Sequence, residues 1–160
     1  MSENKGENKI EVREMTEADL DAVMYIETAS FAIPWTRKSM QGELGSPMKL
    51  YYVALLNGKV IGYAGMWHVV TEGHITNIAV DPEYRHMGAG HALVDKLMET
   101  AEEKSMLGVT LEVRKGNKNA LALYKKHGFV LSGIRKEYYE DNKEDAYIMW
   151  RYLIPVECIE

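Results

Sequence analysis

At 160 residues with 46% hydrophobic content, the chain can enclose one core and is short for two. Its apolar runs, such as residues 61–67, fall well short of a membrane span, and the polar start MSENKGENK has no secretory apolar region, so a cytoplasmic protein without a membrane partner is expected. A net charge of -5 argues against a general nucleic-acid binder, and the single cysteine, Cys158, excludes an internal disulfide and a cysteine-built metal cluster.

Residues 1–9 and 154–160 read as tails, which leaves a domain over 10–153. Residues 10–15, IEVREM, alternate as a strand does, and Thr16 with Asp19 resembles the capped start of a helix running through Ala29. FAIPW, from Phe31 to Trp35, is an apolar loop held by Pro34. Thr36 then caps a short helix from Arg37 to Leu44, which Gly45 and Pro47 stop. Asn57-Gly58 between two apolar runs predicts a hairpin, and a second turn at Glu72-Gly73 leads into HITNIAV, giving three consecutive antiparallel strands that end at Asp81-Pro82. From Gly90, residues Leu93, Leu97, Met98 and Ala101 recur at helical spacing, in a helix expected to end near Gly108. Residues 109–114 form a core strand, residues 120–127 a helix closed by Gly128, and FVLSGIRKEYY and DAYIMWRYL two final strands. Hairpins around an alternating strand and helix middle define a mixed α/β layer structure.

The segment RHMGAG, residues 85–90, lies between a strand and a helix. Such a junction presents unpaired backbone N–H groups at the positive end of the helix dipole, which suits a phosphate. Gly88 and Gly90 remove side chains from the approach, and Arg85 adds a cation at the rim. A dinucleotide fingerprint would need a third glycine where Leu93 stands, and no G-x-x-x-x-G-K-[ST] loop occurs. A glycine-rich turn with no ligand is the alternative for these residues alone.

ITNIAVDPEYRHMGAG, residues 75–90, resembles the acyl-CoA motif of the GCN5-related N-acetyltransferases, in which R/Q-x-x-G-x-G/A holds the coenzyme A pyrophosphate. LEVRKGNKNALALYKKHGF, residues 111–129, resembles the second half of that superfamily's cofactor site. YYEDNKEDAYIM resembles the ending found in N-terminal acetyltransferases. Together with the segment from Glu27 to Trp35, these motifs are similar to the RimI group of the superfamily, which acetylates the N-terminal alanine of small-subunit ribosomal protein eighteen.

The resemblance implies an acyl-CoA acyltransferase fold: a central, mostly antiparallel sheet splayed between the fourth and fifth strands and flanked by about four helices. It implies acetyl-CoA as cofactor, with Ile78, Ala79 and Val80 contacting the pantetheine arm through their backbone. His86, Met87, Gly88, Ala89, Gly90 and His91 would cradle the pyrophosphate, with Asn117 on the far side. His86-Met87 stands where the family commonly has arginines, so the missing charge would have to come from elsewhere, such as Lys115 or Lys118. Gly116 replaces a bulkier residue and is expected to loosen its turn.

Acyl transfer to an amine needs a base, because an α-amine with a pKa of about 7.7 to 8.0 is mostly protonated near neutral pH. Within TLEVR, Leu111 and Val113 face one way and Thr110, Glu112 and Arg114 the other, on a face the splay is expected to expose, and the resemblance makes Glu112 the base. It also makes Tyr124 the acid that protonates the leaving thiolate; a tyrosine hydroxyl, with a pKa of about 10, keeps its proton for that role. An ion-paired Glu112 and a core-packed Tyr124 are the structural alternatives. A backbone N–H near Ile78–Val80 would meet the oxyanion, with no metal required and transfer direct within a ternary complex.

Phe31, Pro34 and Trp35 could wall a peptide groove, Tyr138 and Tyr139 could close it, and Glu27 could lie near a cationic N-terminus; alternatively the aromatics cap the core and Glu27 is solvated on its helix. The expected partner is a protein N-terminus, that of a ribosomal protein, with a monomer favoured. A small-amine acetyltransferase and a non-catalytic acyl-CoA-binding module are the competing readings.

Overall fold

A computed structural model describes residues 9–154. The two expected tails lie almost wholly outside the described residues, and Cys158 wholly so. Seven strands are present: β1 (Ile10–Glu14), β2 (Lys49–Leu56), β3 (Lys59–Val69), β4 (Glu72–Val80), β5 (Gly108–Arg114), β6 (Val130–Arg135) and β7 (Ala146–Tyr152). They hydrogen-bond in the order β1-β2-β3-β4-β5-β7-β6. The pairs β1 with β2, β5 with β7 and β6 with β7 are antiparallel, and β4 with β5 is parallel. Four α-helices accompany them: α1 (Leu20–Ser30), α2 (Arg37–Glu43), α3 (Ala89–Glu103) and α4 (Lys118–Lys126). No helix among the described residues is long and apolar enough to cross a membrane.

The parallel register joins Glu72–Ile75 to Gly108–Leu111 and stops there, although β4 runs on to Val80 and β5 to Arg114.

The described residues divide into two compact units. One comprises the chain up to Met66 together with Thr76–Leu97; the other comprises Trp67–Ile75 and the chain from Met98 onward. In the first unit Val23 and Ile26 of α1, Met40 of α2 and Val53 and Tyr63 of the sheet form a buried core. In the second unit Leu111, Val113, Tyr124, Phe129 and Met149 are buried. The alternation read in TLEVR holds from Leu111 to Arg114, where Leu111 and Val113 are buried while Glu112 and Arg114 are half-buried; Thr110, expected on the exposed side, is buried as well, its hydroxyl donating to Met149 O at 2.9 Å.

Local rules explain most boundaries. Thr16 and Asp19 form a capping box, with Thr16 N–H donating to Asp19 Oδ2 at 2.8 Å. Arg13 grips the same carboxylate with two bonds of 2.8 and 2.9 Å and holds its pKa below the usual range. The first turn is wound as a 3-10 turn over Glu17–Asp19, so the expected single helix begins at Leu20 and the capping box sits before it. Thr36 Oγ1 accepts from Ser39 N–H at 3.1 Å, the predicted cap of α2. Asn57 and Gly58 both take positive φ, 51° and 82°, as the two-residue hairpin turn requires.

Three boundaries differ from expectation. The second turn falls at Val70-Thr71, with Val70 at φ 56°, and β4 already begins at Glu72. Helix α3 ends at Glu103 rather than near Gly108. Ser105 takes φ 58° and donates its N–H to Glu102 O, while Met106 N–H returns to Ala101 O at 2.9 Å. This is a Schellman ending with serine at the position glycine usually holds, and it buries Met106. Finally, β6 stops at Arg135, and residues 136–145 form a loop rather than extending the strands to Tyr139 and back from Asp145.

Gly65 on β3 lies against the Tyr51 ring, where a Cβ would overlap the ring carbons. Tyr51 has little room to retreat, because it is buried and its hydroxyl donates to Glu43 Oε1 at 2.8 Å. Gly65→Ala is expected to destabilise the protein by about 1–3 kcal/mol, measured by urea unfolding; wild-type stability in this variant would contradict the packing described.

Candidate active site

In the first unit, β4 leads into the glycine segment. Asp81 anchors the exit, its N–H donating to Ile61 O at 2.7 Å and its Oδ1 accepting from Glu83 N–H at 3.0 Å. After the turn Pro82–Tyr84 the chain is exposed at Arg85, His86, Met87 and Gly88. His86 and Gly88 both lie in the left-handed region, at φ 63° and 93°, and nothing stands within 4 Å of where a Gly88 Cβ would be. At the start of α3, Ala92 N–H donates to Gly88 O at 3.0 Å, and Ala89 and Gly90 stand in the first turn, where N–H groups point out of the helix end. Ala89 is buried, Gly90 half-buried and His91 exposed. This exposed loop, turned twice into left-handed backbone and opening a fifteen-residue helix, has the form of an anion cradle and fits a pyrophosphate. On β4, Ile78 and Val80 are half-buried, while Ala79 belongs to the core.

The same unit contains Glu27 on α1. The sequence suggests a place near a cationic N-terminus or a solvated one on its helix, but Glu27 is only 1% exposed. Its Oε2 accepts from Trp35 N–H at 2.9 Å, and its other oxygen accepts from the Tyr63 hydroxyl. The Asn77 side chain also hydrogen-bonds to it. Burial pushes its carboxyl pKa up, and the Trp35 and Asn77 bonds oppose that rise. Direct contact with a cationic N-terminus and the solvated alternative are therefore both corrected: the carboxylate is enclosed and its oxygens are taken by Trp35, Tyr63 and Asn77. In the Phe31–Trp35 turn, Phe31 and Pro34 are exposed, and Trp35 is half-buried against the core.

In the second unit Glu112 is half-buried. Arg135 Nε lies 2.9 Å from its Oε2, and the Tyr138 hydroxyl hydrogen-bonds to the same carboxylate. Tyr138 is exposed, and its ring meets that of Tyr139 edge-on at 5.1 Å. Tyr139 is half-buried under the Arg114 guanidinium, 3.9 Å from the ring centroid, and burial pushes its pKa up to about 12. Tyr124 on α4 is buried, packs edge-on against Phe129 at 5.7 Å, and burial raises its hydroxyl above the ordinary phenol range. Asn117 Oδ1 caps α4 by accepting from Ala120 N–H at 3.1 Å.

Arg114 organises the loop before β7. Its Nη2 bonds both Asp141 oxygens at 3.1 Å, and its Nη1 reaches Asn142 Oδ1 at 3.2 Å and Glu144 Oε1 at 3.3 Å. Glu144 Oε2 in turn accepts from Gly116 N–H at 2.7 Å, a bond that leads the lowering of the Glu144 pKa. A Cβ on Gly116 would stand 2.7 Å from that same oxygen. Gly116 thus lets the turn close on a carboxylate, which corrects the expectation that it loosens the turn.

The structure gathers Glu112 and Tyr138 around one ion pair and places Tyr139, Gly116 and Glu144 around Arg114. Sequence reasoning missed Arg135, Tyr63 and Asn77. Arg135 carries no local signal, because β6 reaches its place only through pairing with β7. Tyr63 and Asn77 could have been flagged as polar side chains on core-facing strand positions.

These features define an acetyltransferase: residues 20–129 match the acetyltransferase (GNAT) family, and the chain belongs to it. A Bacillus subtilis (strain 168) protein, to which ribosomal protein bS18-alanine N-acetyltransferase activity is provisionally ascribed, is 46% identical over 143 residues, 89% of this chain and 95% of that protein. The ribosomal protein bS18-alanine N-acetyltransferase of Escherichia coli (strain K12) is 38% identical over 133 residues, 82% of this chain and 89% of that one. The crystal structure of the ribosomal-protein-S18-alanine N-acetyltransferase from Escherichia coli matches with a TM-score of 0.84 at 34% identity, covering 92% of this chain and 96% of that chain.

Lysine cannot reproduce the planar fork of Arg114 or its stacking on Tyr139. Arg114→Lys is expected to speed amide exchange at Gly116, Glu137 and Tyr139 on the order of tenfold, with the β5–β7 amides unaffected, as read by hydrogen exchange. Unchanged protection in the loop would remove Arg114 as its organiser.

Proposed function

We propose that this protein moves the acetyl group of acetyl-CoA to the free α-amine of a protein beginning with alanine, with ribosomal protein bS18, the acceptor named for its relatives, as the substrate. The observation that carries this reading is the end-to-end likeness to enzymes of that named activity. The exposed glycine loop supports the cofactor.

In this reading the N–H groups of residues 86–91 and the Arg85 guanidinium hold the pyrophosphate, and Asn117 adds a further contact. The backbone of Ile78–Val80 pairs with the pantetheine arm as a strand would, and an N–H there meets the carbonyl oxygen as negative charge develops. Phe31, Pro34 and Trp35, with Tyr138, border the acceptor. Tyr139 acts by holding Tyr138 and Arg114 in place.

Glu112 takes the proton of the α-ammonium, directly or through one water. The amine nitrogen attacks the thioester carbonyl carbon; the new C–N bond forms and the C–S bond breaks. Tyr124 gives its proton to the departing thiolate. Burial keeps the Tyr124 hydroxyl protonated up to the step in which the thiolate departs.

The test is acetylation of an alanine-first peptide. Turnover is expected with a free N-terminus and none with a blocked one; acetylation of the blocked peptide would overturn the reading. Glu112→Gln is expected to lower kcat about 10²- to 10⁴-fold while calorimetry shows acetyl-CoA still bound. Because burial lifts the Tyr124 pKa, loss of its proton should not reduce kcat until the pH exceeds about 10, and Tyr124→Phe should remove any such alkaline limb.

A further inference from the structure

We propose that Glu27 is a positioning residue for the acceptor: its buried carboxylate fixes the Phe31–Trp35 turn and so sets the space available to the acceptor's first side chain. This inference rests on the N-terminal acetyltransferase reading and on the turn as the acceptor's wall.

The turn has little else to hold it. Pro34 offers no N–H, and among the described residues the one hydrogen bond recorded within 32–35 is Trp35 N–H to Glu27 Oε2. Phe31 and Ile33 are 37% and 61% exposed, so burial of these apolar side chains does not define the turn's path. Trp35 alone among the five packs on the core.

Glu27, by contrast, is fixed from the sheet. Tyr63 on β3 and Asn77 on β4 both bond its carboxylate, and rigid strands carry them. The Glu27 main chain acts on the same segment, its C=O accepting from Phe31 N–H at 3.1 Å. One residue therefore holds the turn at both ends, by its carbonyl at Phe31 and by its carboxylate at Trp35. Asn77, which bears the sheet end of this link, directly precedes Ile78–Val80, the segment assigned to the pantetheine arm.

Charge type matters here. A carboxylate only accepts, so it can serve three donors at once, whereas a glutamine amide would turn an NH₂ toward one of them. Its demand for donors also orients Asn77: the amide nitrogen faces Glu27, and Asn77 Oδ1 is left buried without a partner. Burying a carboxylate beside Val23 and Ile26 disfavours the fold relative to an apolar side chain, so the group is better understood by the geometry it imposes than by stability.

The test compares wild type and Glu27→Gln on alanine-first and leucine-first peptides, with acetyl-CoA affinity measured by calorimetry. The alanine-peptide KM is expected to rise about tenfold and the alanine-to-leucine ratio of kcat/KM to narrow by a similar factor, the loss typical of one charge-assisted bond, with acetyl-CoA affinity unchanged. An unchanged peptide KM and ratio overturn the proposal, and so does an equal weakening of peptide and acetyl-CoA, which would mark a general structural role. Should Glu27→Gln not fold, Pro34→Gly loosens the same turn with Glu27 intact; it should narrow the ratio likewise, and a wild-type ratio overturns the proposal. Failure of the wild type on the alanine peptide would reject the underlying function instead, and that result needs no variant.

Discussion

Backbone N–H and C=O groups in a folded protein must find partners, and two sets of them stand here at the ends of regular elements. Strand β4 continues past the residues that pair with β5, and helix α3 opens on the N–H groups of Ala89 and Gly90. Both sets belong to one continuous stretch, from Thr76 to His91, interrupted only by the Asp81 anchor and the Pro82–Tyr84 turn. A strand edge calls for an extended amide-bearing ligand, and a helix start calls for an anion. Acetyl-CoA combines an amide-containing arm with a pyrophosphate, which is why that stretch reads as a cofactor site even before any side chain is considered.

The carboxylates show how environment divides labour among identical groups. Glu27 is enclosed and spends its oxygens on Trp35, Tyr63 and Asn77, so it can hold a shape but has no access to an acceptor. Glu112 is half-exposed and meets one guanidinium and one phenol, both near the surface. Glu144 and Asp141 face Arg114, whose fork ties the loop before β7 to the end of β5. Among these four carboxylates Glu112 alone combines partial exposure with a position inside a strand that has buried neighbours, and that combination separates a candidate base from structural acids.

Much of this was legible because local rules were strong. Thr36 before an amphipathic turn, Asn57-Gly58 between apolar runs and the alternation of TLEVR each have one favoured geometry, and each took it. The failures have equally specific causes. Helix α3 stopped early because Ser105 adopted a left-handed conformation that sequence habit reserves for glycine, with burial of Met106 to compensate. Gly116 looked like slack until Glu144, distant in sequence, closed on its N–H. Glu27 and Arg135 acquire their roles from strands that reach them only through the fold. What escaped the sequence was therefore long-range pairing of charged groups, while periodicity and turn chemistry came through.

In the glycine loop, the departure at His86-Met87 from the arginines expected there is compatible with the pyrophosphate contact proposed for it. Donors in such a loop are main-chain N–H groups, which every residue except proline supplies, so the side chains at these two positions alter charge without altering donor geometry. Geometry instead depends on φ. His86 and Gly88 both occupy left-handed backbone; for glycine this carries no steric penalty, and histidine tolerates it better than a β-branched residue would. Replacing arginines here removes cations that act at longer range and are screened by salt. An interaction built mainly from oriented amides should accordingly depend less on ionic strength than one built from guanidinium groups, and Arg85 is left as the cation within this loop on which such dependence would rest.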